Sequence, residues 1–402
     1  MDDLERHERG RSALRLDVID TLRGGSILAV ILLHINIRMR LAGFPFQSHF
    51  PPWLFHLVFT NGNNGVSVFF AISGFLITTT SLRRFGSLEN VNVRTFYRTR
   101  FARIAPLLLL VLFILSLLHV AQAPGFYIQP AESTLPRALF AALTFHLNWL
   151  EAVRGYLPPN WDVLWSLSVE EAFYLFFPLV CLLTRKRNGN IMLLGFLLLL
   201  VAAGPFARTI WTSNDIWREK SYLGGADGIA MGCLSALAAD WLRTTRYERG
   251  SIGRDSWLMP MQMAGAVVLI FIALWPRWAI TRYIGIYGLD GSLLALGTCA
   301  IAIPSALKNA RGHRWTGPVR WLGRNSYEVY MTHEFVVVWT VGAYVRFHAG
   351  TLSIWIVLVL LISGGLGAAV TFSYSEPLNR RLRGQQRTRT SIAISPKLGE
   401  AL

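Results

Sequence analysis

Two ionisable residues within one apolar run are the first candidates for chemistry. The segment Ile19-Asp20-Thr21-Leu22-Arg23-Gly24-Gly25 continues without a further charge to His34. Eleven residues at 100° each return to within about 20° of the starting direction, so Arg23 and His34 share a helix face, about 16 Å apart along its axis. A cation and a deeper imidazole then line one track. An imidazole changes charge near neutrality and suits general acid–base or relay chemistry.

Other segments add reactive types. In Phe96-Tyr97-Arg98-Thr99-Arg100-Phe101-Ala102-Arg103 the pair Arg100 and Arg103 stands at i and i+3. Guanidinium groups so placed suit phosphate, and the same spacing fits an ordinary basic cluster beside a membrane. The run Trp165-Ser166-Leu167-Ser168-Val169-Glu170-Glu171-Ala172-Phe173-Tyr174 puts Glu170 and Tyr174 at i and i+4, on one face. A buried Glu170 can orient or deprotonate a histidine, or accept a substrate hydroxyl. Adjacent carboxylates cannot share a face, so at most one of Glu170 and Glu171 is expected in the site, the other reaching solvent or an arginine. His333, Glu334 and Asp227 also lie in apolar runs, where each can be a site group or a satisfied interior one. Gly65, Ser73 and Gly74 read as close helix packing. Cys181, Cys233 and Cys299 have no metal-ligand spacing and read as small core residues, so no metal is expected.

The elements that must position these residues are membrane helices. Asp, Glu, Lys and Arg together reach only 15% of 402 residues, too few to wet a soluble globule of this size. Apolar stretches of spanning length run near 18–38, 65–83, 104–122, 164–184, 191–209, 223–242, 257–275, 283–304, 326–346 and 352–373. A further candidate, 138–152, is short. The net charge of +16 would suggest nucleic acid in a soluble chain. Here the basic residues fall between apolar runs, in clusters at 83–103, 185–187, 243–249, 308–324 and 380–383, so no nucleic-acid partner is expected. All five clusters land on one side if 138–152 is a partial or re-entrant helix in a long outer loop.

The expected fold is therefore an all-α polytopic bundle of about ten transmembrane helices with both termini in the cytoplasm. Residues 1–17 form a cytoplasmic segment, 18–383 the membrane domain, and 384–402 a polar, disordered tail. The first span is retained, because it contains Arg23 and lacks a small-residue cleavage site. Its solvent is membrane lipid, where interior ionisable groups mark a pathway or a site more often than they hold structure.

Taken together these segments resemble membrane acyltransferase family 3, polytopic bacterial enzymes that acylate exported glycans and some secreted small molecules. The likeness spans Leu22-Arg23-Gly24 with His34, Gly65 to Phe70 with Ser73-Gly74-Phe75-Leu76, and Arg100-x-x-Arg103 with Ile104 and Pro106. It continues through Trp165 to Tyr174, Leu322-Gly323 to Tyr330 with His333, and Tyr374 to Pro377. The resemblance implies an acyl-CoA donor, first of all acetyl-CoA, taken from the cytoplasm. The acceptor would be a glycan or lipid-linked sugar hydroxyl on the outer side of a bacterial inner membrane.

By the same resemblance His34 and Glu170 are the catalytic pair, Arg23, Arg100 and Arg103 hold the donor, and Trp165, Tyr174 and His333 contact substrate. The chain departs from the family where Ala172 replaces a common glutamine and Glu334 a common aromatic residue. Some relatives carry a C-terminal extracytoplasmic domain, which is not expected here. A proton-coupled transporter would also bury His, Glu, Asp and Arg, but would commonly show inverted repeats, and none is visible. A flippase or assembly scaffold is the third class.

Overall fold

A backbone crossing hydrocarbon must satisfy its own amides, and helix is the only regular structure among the described residues. The computed structural model describes residues 16–185, 189–209, 214–248, 256–275, 277–308, 312–347 and 351–383. The expected N-terminal segment, apart from its last two residues, and the expected tail from 384 onward lie outside them.

In chain order the helices are α1 (Asp17–Leu41), α2 (Pro52–Phe59), α3 (Gly62–Phe85), α4 (Val93–Val120), α5 (Leu135–Leu143), α6 (Leu147–Arg154) and α7 (Pro159–Asp162). Then come α8 (Leu164–Leu183), α9 (Gly189–Thr209), α10 (Asp215–Lys220), α11 (Tyr222–Glu248), α12 (Leu258–Leu274) and α13 (Arg277–Tyr283). The last five are α14 (Asp290–Lys308), α15 (Gly317–Arg324), α16 (Ser326–Phe347), α17 (Leu352–Val370) and α18 (Glu376–Leu382).

Among the described residues eight segments, built on α1, α3, α4, α8, α9, α11, α14 and α17, are long and apolar enough to cross a membrane. The other two expected spans differ in kind. Helix α12 has 17 residues, short of the roughly 20 that cross hydrocarbon upright. Helix α16 has 22 but carries Glu328, His333, Glu334 and Arg346, and packs between α1 and α17. The doubtful stretch 138–152 is two short helices, α5 and α6, broken at Phe145 by a left-handed φ of 57°.

Helix α3 is central, packed against α1, α11 and α14. Small residues permit that closeness: a Cβ on Gly65 would lie 2.7 Å from the Ser26 carbonyl oxygen, and one on Gly74 only 1.8 Å from that of Ile229. Gly65 and Gly74 thus pack as their sequence suggested. Ser73 does not, because its hydroxyl meets that of Tyr174 beside a cavity. We expect Gly74→Leu to push α3 off α11, with a loss of at least about 1–3 kcal/mol. The check is the thermal midpoint and monodispersity of the protein in detergent; an unshifted midpoint would contradict the contact.

Charges tie the two ends of the bundle. Arg320 pairs with Asp17, and Arg324 Nε donates to Asp20 Oδ2 at 3.1 Å, clamping α15 to the start of α1. At the opposite end Lys220 is buried between Glu151, at 2.9 Å, and Asp162. This joins α6, α7 and α10. Burial, with the Asp162 charge beside it, pushes the Glu151 carboxyl up against the pull of Lys220.

Candidate active site

His34 meets two side chains of α16. Its Nδ1 pairs with Glu334 Oε1 and lies 3.1 Å from His333 Nε2, the two rings being 5.0 Å apart. His333 Nδ1 is 2.7 Å from the Tyr330 carbonyl oxygen, which can only accept. The neutral His333 ring therefore carries its proton on Nδ1 and presents Nε2 as an acceptor. The proton between the rings must then sit on His34 Nδ1, shared with the Glu334 carboxylate. In a neutral His34 ring that hydrogen-bond assignment leaves the lone pair on Nε2. Such a ring, oriented by a carboxylate at one nitrogen and free at the other, is built to accept a proton.

Burial sharpens the arrangement. His333 and Glu334 are buried, whereas the His34 side chain keeps 13% exposure, so the face it presents can meet a reactant. Arg38, one turn beyond His34, brings Nε to 4.0 Å from Glu334 Oε2. Neither of those two atoms has a hydrogen-bond partner. The donor atoms of His34, His333 and Glu334 lie within 4.8 Å of one another, a spacing a cation can bridge. Direct hydrogen-bond contact and the Arg38 charge beside Glu334 favour a proton-handling pair instead.

A partly open cavity of about 470 Å³ rises toward this cluster between α1, α3, α4, α8 and α16. Five arginines line it, Arg23, Arg84, Arg100, Arg103 and Arg383, against one carboxylate, Glu170, a formal charge of +4. Arg23 and Arg103 donate to no protein group among the described residues, so both are available to a ligand. One end of the cavity is Tyr330, whose ring is 5.7 Å from that of His333. The Tyr330 hydroxyl donates to the Val163 carbonyl at 3.0 Å and accepts from Ser166 at 2.8 Å, fixing that end.

Arg100 is held more firmly than its neighbours. Nε donates to Glu171 at 2.9 Å, Nη2 reaches Glu171 at 2.8 Å and Glu170 at 3.4 Å, and the guanidinium lies 3.8 Å over the Tyr174 ring. Glu171 thus finds an arginine, as expected for one of the two carboxylates, but Glu170 finds the same one. Only Nη1 remains for a ligand.

The structure accordingly distributes the candidates over three places. Arg23, Arg100, Arg103, Glu170 and Tyr174 share the arginine-lined cavity. His34 and His333 stand beyond its Tyr330 end, outside its lining. Trp165 faces a second cavity, of about 290 Å³, with its ring 6.0 Å from that of Phe70. Asp227 lines the same second cavity and is paired with Arg208 at 2.7 Å. The carboxylate on His34 is Glu334 rather than Glu170. In the sequence Glu334 stood out as an ionisable residue in an apolar run and as a departure from an aromatic position, without a named partner. The available signal was that charges inside spans pair with one another.

Sequence comparisons with known proteins place the chain in a family. A family profile described as an acyltransferase domain matches residues 16–374. The chain is similar to the O-acetyltransferase OatA of Staphylococcus aureus (strain NCTC 8325 / PS 47), 23% identical over 403 residues, covering 94% of this chain and 60% of the relative. It is also similar to the peptidoglycan O-acetyltransferase OatA of Listeria monocytogenes serovar 1/2a (strain ATCC BAA-679 / EGD-e), 23% identical over 348 residues, covering 80% of this chain and 49% of the relative. The chain thus spans between about half and three fifths of the length of these relatives. No solved structure matches it.

Proposed function

The chain belongs to membrane acyltransferase family 3, and from that premise we propose that it is an integral membrane O-acyltransferase. It would move an acyl group, acetyl from acetyl-CoA in the first instance, onto a hydroxyl of an exported or cell-surface glycan. The observation that carries this reading is the pairing of a cavity of formal charge +4 with a carboxylate-oriented histidine just beyond its end. The names of the relatives favour a glycan of the peptidoglycan type as acceptor.

In this proposal the basic end of the bundle faces the cytoplasm of a bacterial inner membrane, with both termini there. Arg103 and Arg23 bind the phosphates of the donor, as their unused guanidinium donors allow, and Arg100 contributes Nη1. Glu170, Glu171 and Tyr174 keep Arg100 in place. The thioester arm lies along the Arg23–His34 track, past Ser166 and Tyr330. The acceptor arrives from the outer side at His34.

His34 Nε2 takes the hydroxyl proton as that oxygen attacks the thioester carbonyl. The C–O bond forms, the C–S bond breaks, and the departing thiolate recovers the proton from His34. Glu334 stabilises the transient imidazolium, and His333 keeps the His34 tautomer that leaves Nε2 free.

The test is transfer of labelled acetyl from acetyl-CoA to a peptidoglycan-type oligosaccharide by the purified protein in lipid nanodiscs. Label in the glycan supports the proposal. No transfer and no hydrolysis above background would overturn it.

A second measurement addresses the donor site. Charge-assisted hydrogen bonds contribute about 1.5–3 kcal/mol each, so Arg103→Ala is expected to raise the KM for acetyl-CoA about 10- to 100-fold. With acetyl-pantetheine, which lacks the phosphates, variant and parent should behave alike. An equal loss with both donors would refute phosphate binding by Arg103.

A further inference from the structure

The second cavity, of about 290 Å³, lies at the other end of α3 from the arginine-lined one and differs from it in charge. Two arginines, Arg208 and Arg218, stand against four carboxylates, Asp215, Glu219, Asp227 and Asp290, a formal charge of −2. Such a lining repels phosphate and hence the acyl-CoA donor. Its remaining polar side chains are the His56 imidazole, hydroxyls and amides, the last from three asparagines at the start of α3, Asn61, Asn63 and Asn64. Phe70 and Trp165 supply an apolar wall. Carboxylates and amide oxygens to accept from hydroxyls, beside flat aromatic surface for a C–H face, are what a neutral saccharide requires.

The floor is rigid before any ligand arrives. Arg208 donates to the Gly288 carbonyl at 2.8 Å, to Asp227 Oδ1 and Oδ2 at 3.0 and 2.7 Å, and to Ser292 at 2.7 Å, while Ser292 donates to Asp227 at 2.6 Å. Other groups are left open. Asn64 donates through Nδ2 to Asn61 at 2.6 Å, which leaves its oxygen for a ligand. The Asp290 carboxylate makes no hydrogen bond or ion pair among the described residues.

Val66 and Phe70 line both cavities, so one layer of side chains divides them. His34 is not in the lining of the second cavity. The geometry points to a saccharide subsite there that holds a sugar unit of the acceptor glycan next to the one acylated. This rests on the glycan-acylating reading above and adds the place where the polymer is gripped.

The experiment measures equilibrium binding of a fluorescent β-1,4-linked N-acetylglucosamine tetramer to the full chain in nanodiscs, without donor. Binding is thereby read independently of whether acyl transfer occurs. Asn64→Leu and Ser67→Leu, which place apolar bulk in the cavity, should each weaken tetramer binding tenfold or more. Inorganic phosphate should not displace the tetramer. Retained CoA affinity identifies variants that have folded.

Unchanged tetramer affinity in either folded variant would overturn the subsite, as would displacement by phosphate or the absence of tetramer binding to the parent protein. Tetramer binding together with neither transfer nor hydrolysis in the separate acetyl-CoA assay would instead sink the proposed function and leave saccharide binding in this cavity standing.

Discussion

Replacement of His34 by alanine should lower kcat for acyl transfer about 10²- to 10⁴-fold, the range a positioned general base contributes. Donor binding should stay close to that of the parent protein, because His34 lies outside the arginine-lined cavity. The loss belongs in kcat for a stated reason: the proton leaves the acceptor hydroxyl only as the C–O bond forms, so an interaction made in the transition state is removed. His34→Gln is the stricter variant, since an amide fills much of the space without acting as a base near neutral pH. Steady-state kinetics with labelled acetyl-CoA and a titrated oligosaccharide check both. Full transfer by either variant would remove His34 from the mechanism, whatever its depth in the membrane.

Glu334→Gln should produce a kcat loss on the order of 10²-fold or more without a comparable change in donor KM. The carboxylate only accepts, so it holds the proton of His34 on Nδ1. A glutamine can turn its N–H toward that nitrogen and favour the opposite tautomer, with the proton on Nε2 where the acceptor hydroxyl must be deprotonated. It also withdraws the negative charge that stabilises the imidazolium.

Glu334→Asp keeps the charge one methylene farther away and should recover part of the rate. That partial rescue distinguishes orientation from packing. Because Arg38 approaches the same carboxylate, Glu334→Gln also leaves a cation with less compensation. Thermal stability in detergent is measured alongside. A variant that folds, binds CoA and transfers acetyl at the parent rate would show that Glu334 is only an ion-pair partner.

How far these predictions could be reached from residue order alone differs from residue to residue. The face shared by Arg23 and His34 follows from the helical period. The structure carries Arg23 into the arginine-lined cavity and His34 onto α16 just beyond its end. The pairing of Glu170 and Tyr174 on one face was likewise legible, and both line one cavity. Their common partner Arg100 was not, because it comes from α4, about seventy residues earlier. Trp165 lies in the same helix as Glu170 but faces the second cavity, as a residue five positions away, about 140° around the helix, can.

The sequence by itself determined the solvent, the helical class, most of the spanning segments and the family, because apolar length, charge clustering and motif order are local properties of the chain. Tertiary structure decided which charges meet: His34 with Glu334 across 300 residues, Arg100 with two carboxylates, Asp227 with Arg208. The reason is geometric. A 100° period fixes the face on which a side chain stands, whereas the neighbour it meets depends on how the helices are arranged in the bundle, and that order is set by packing contacts such as Gly74 on Ile229.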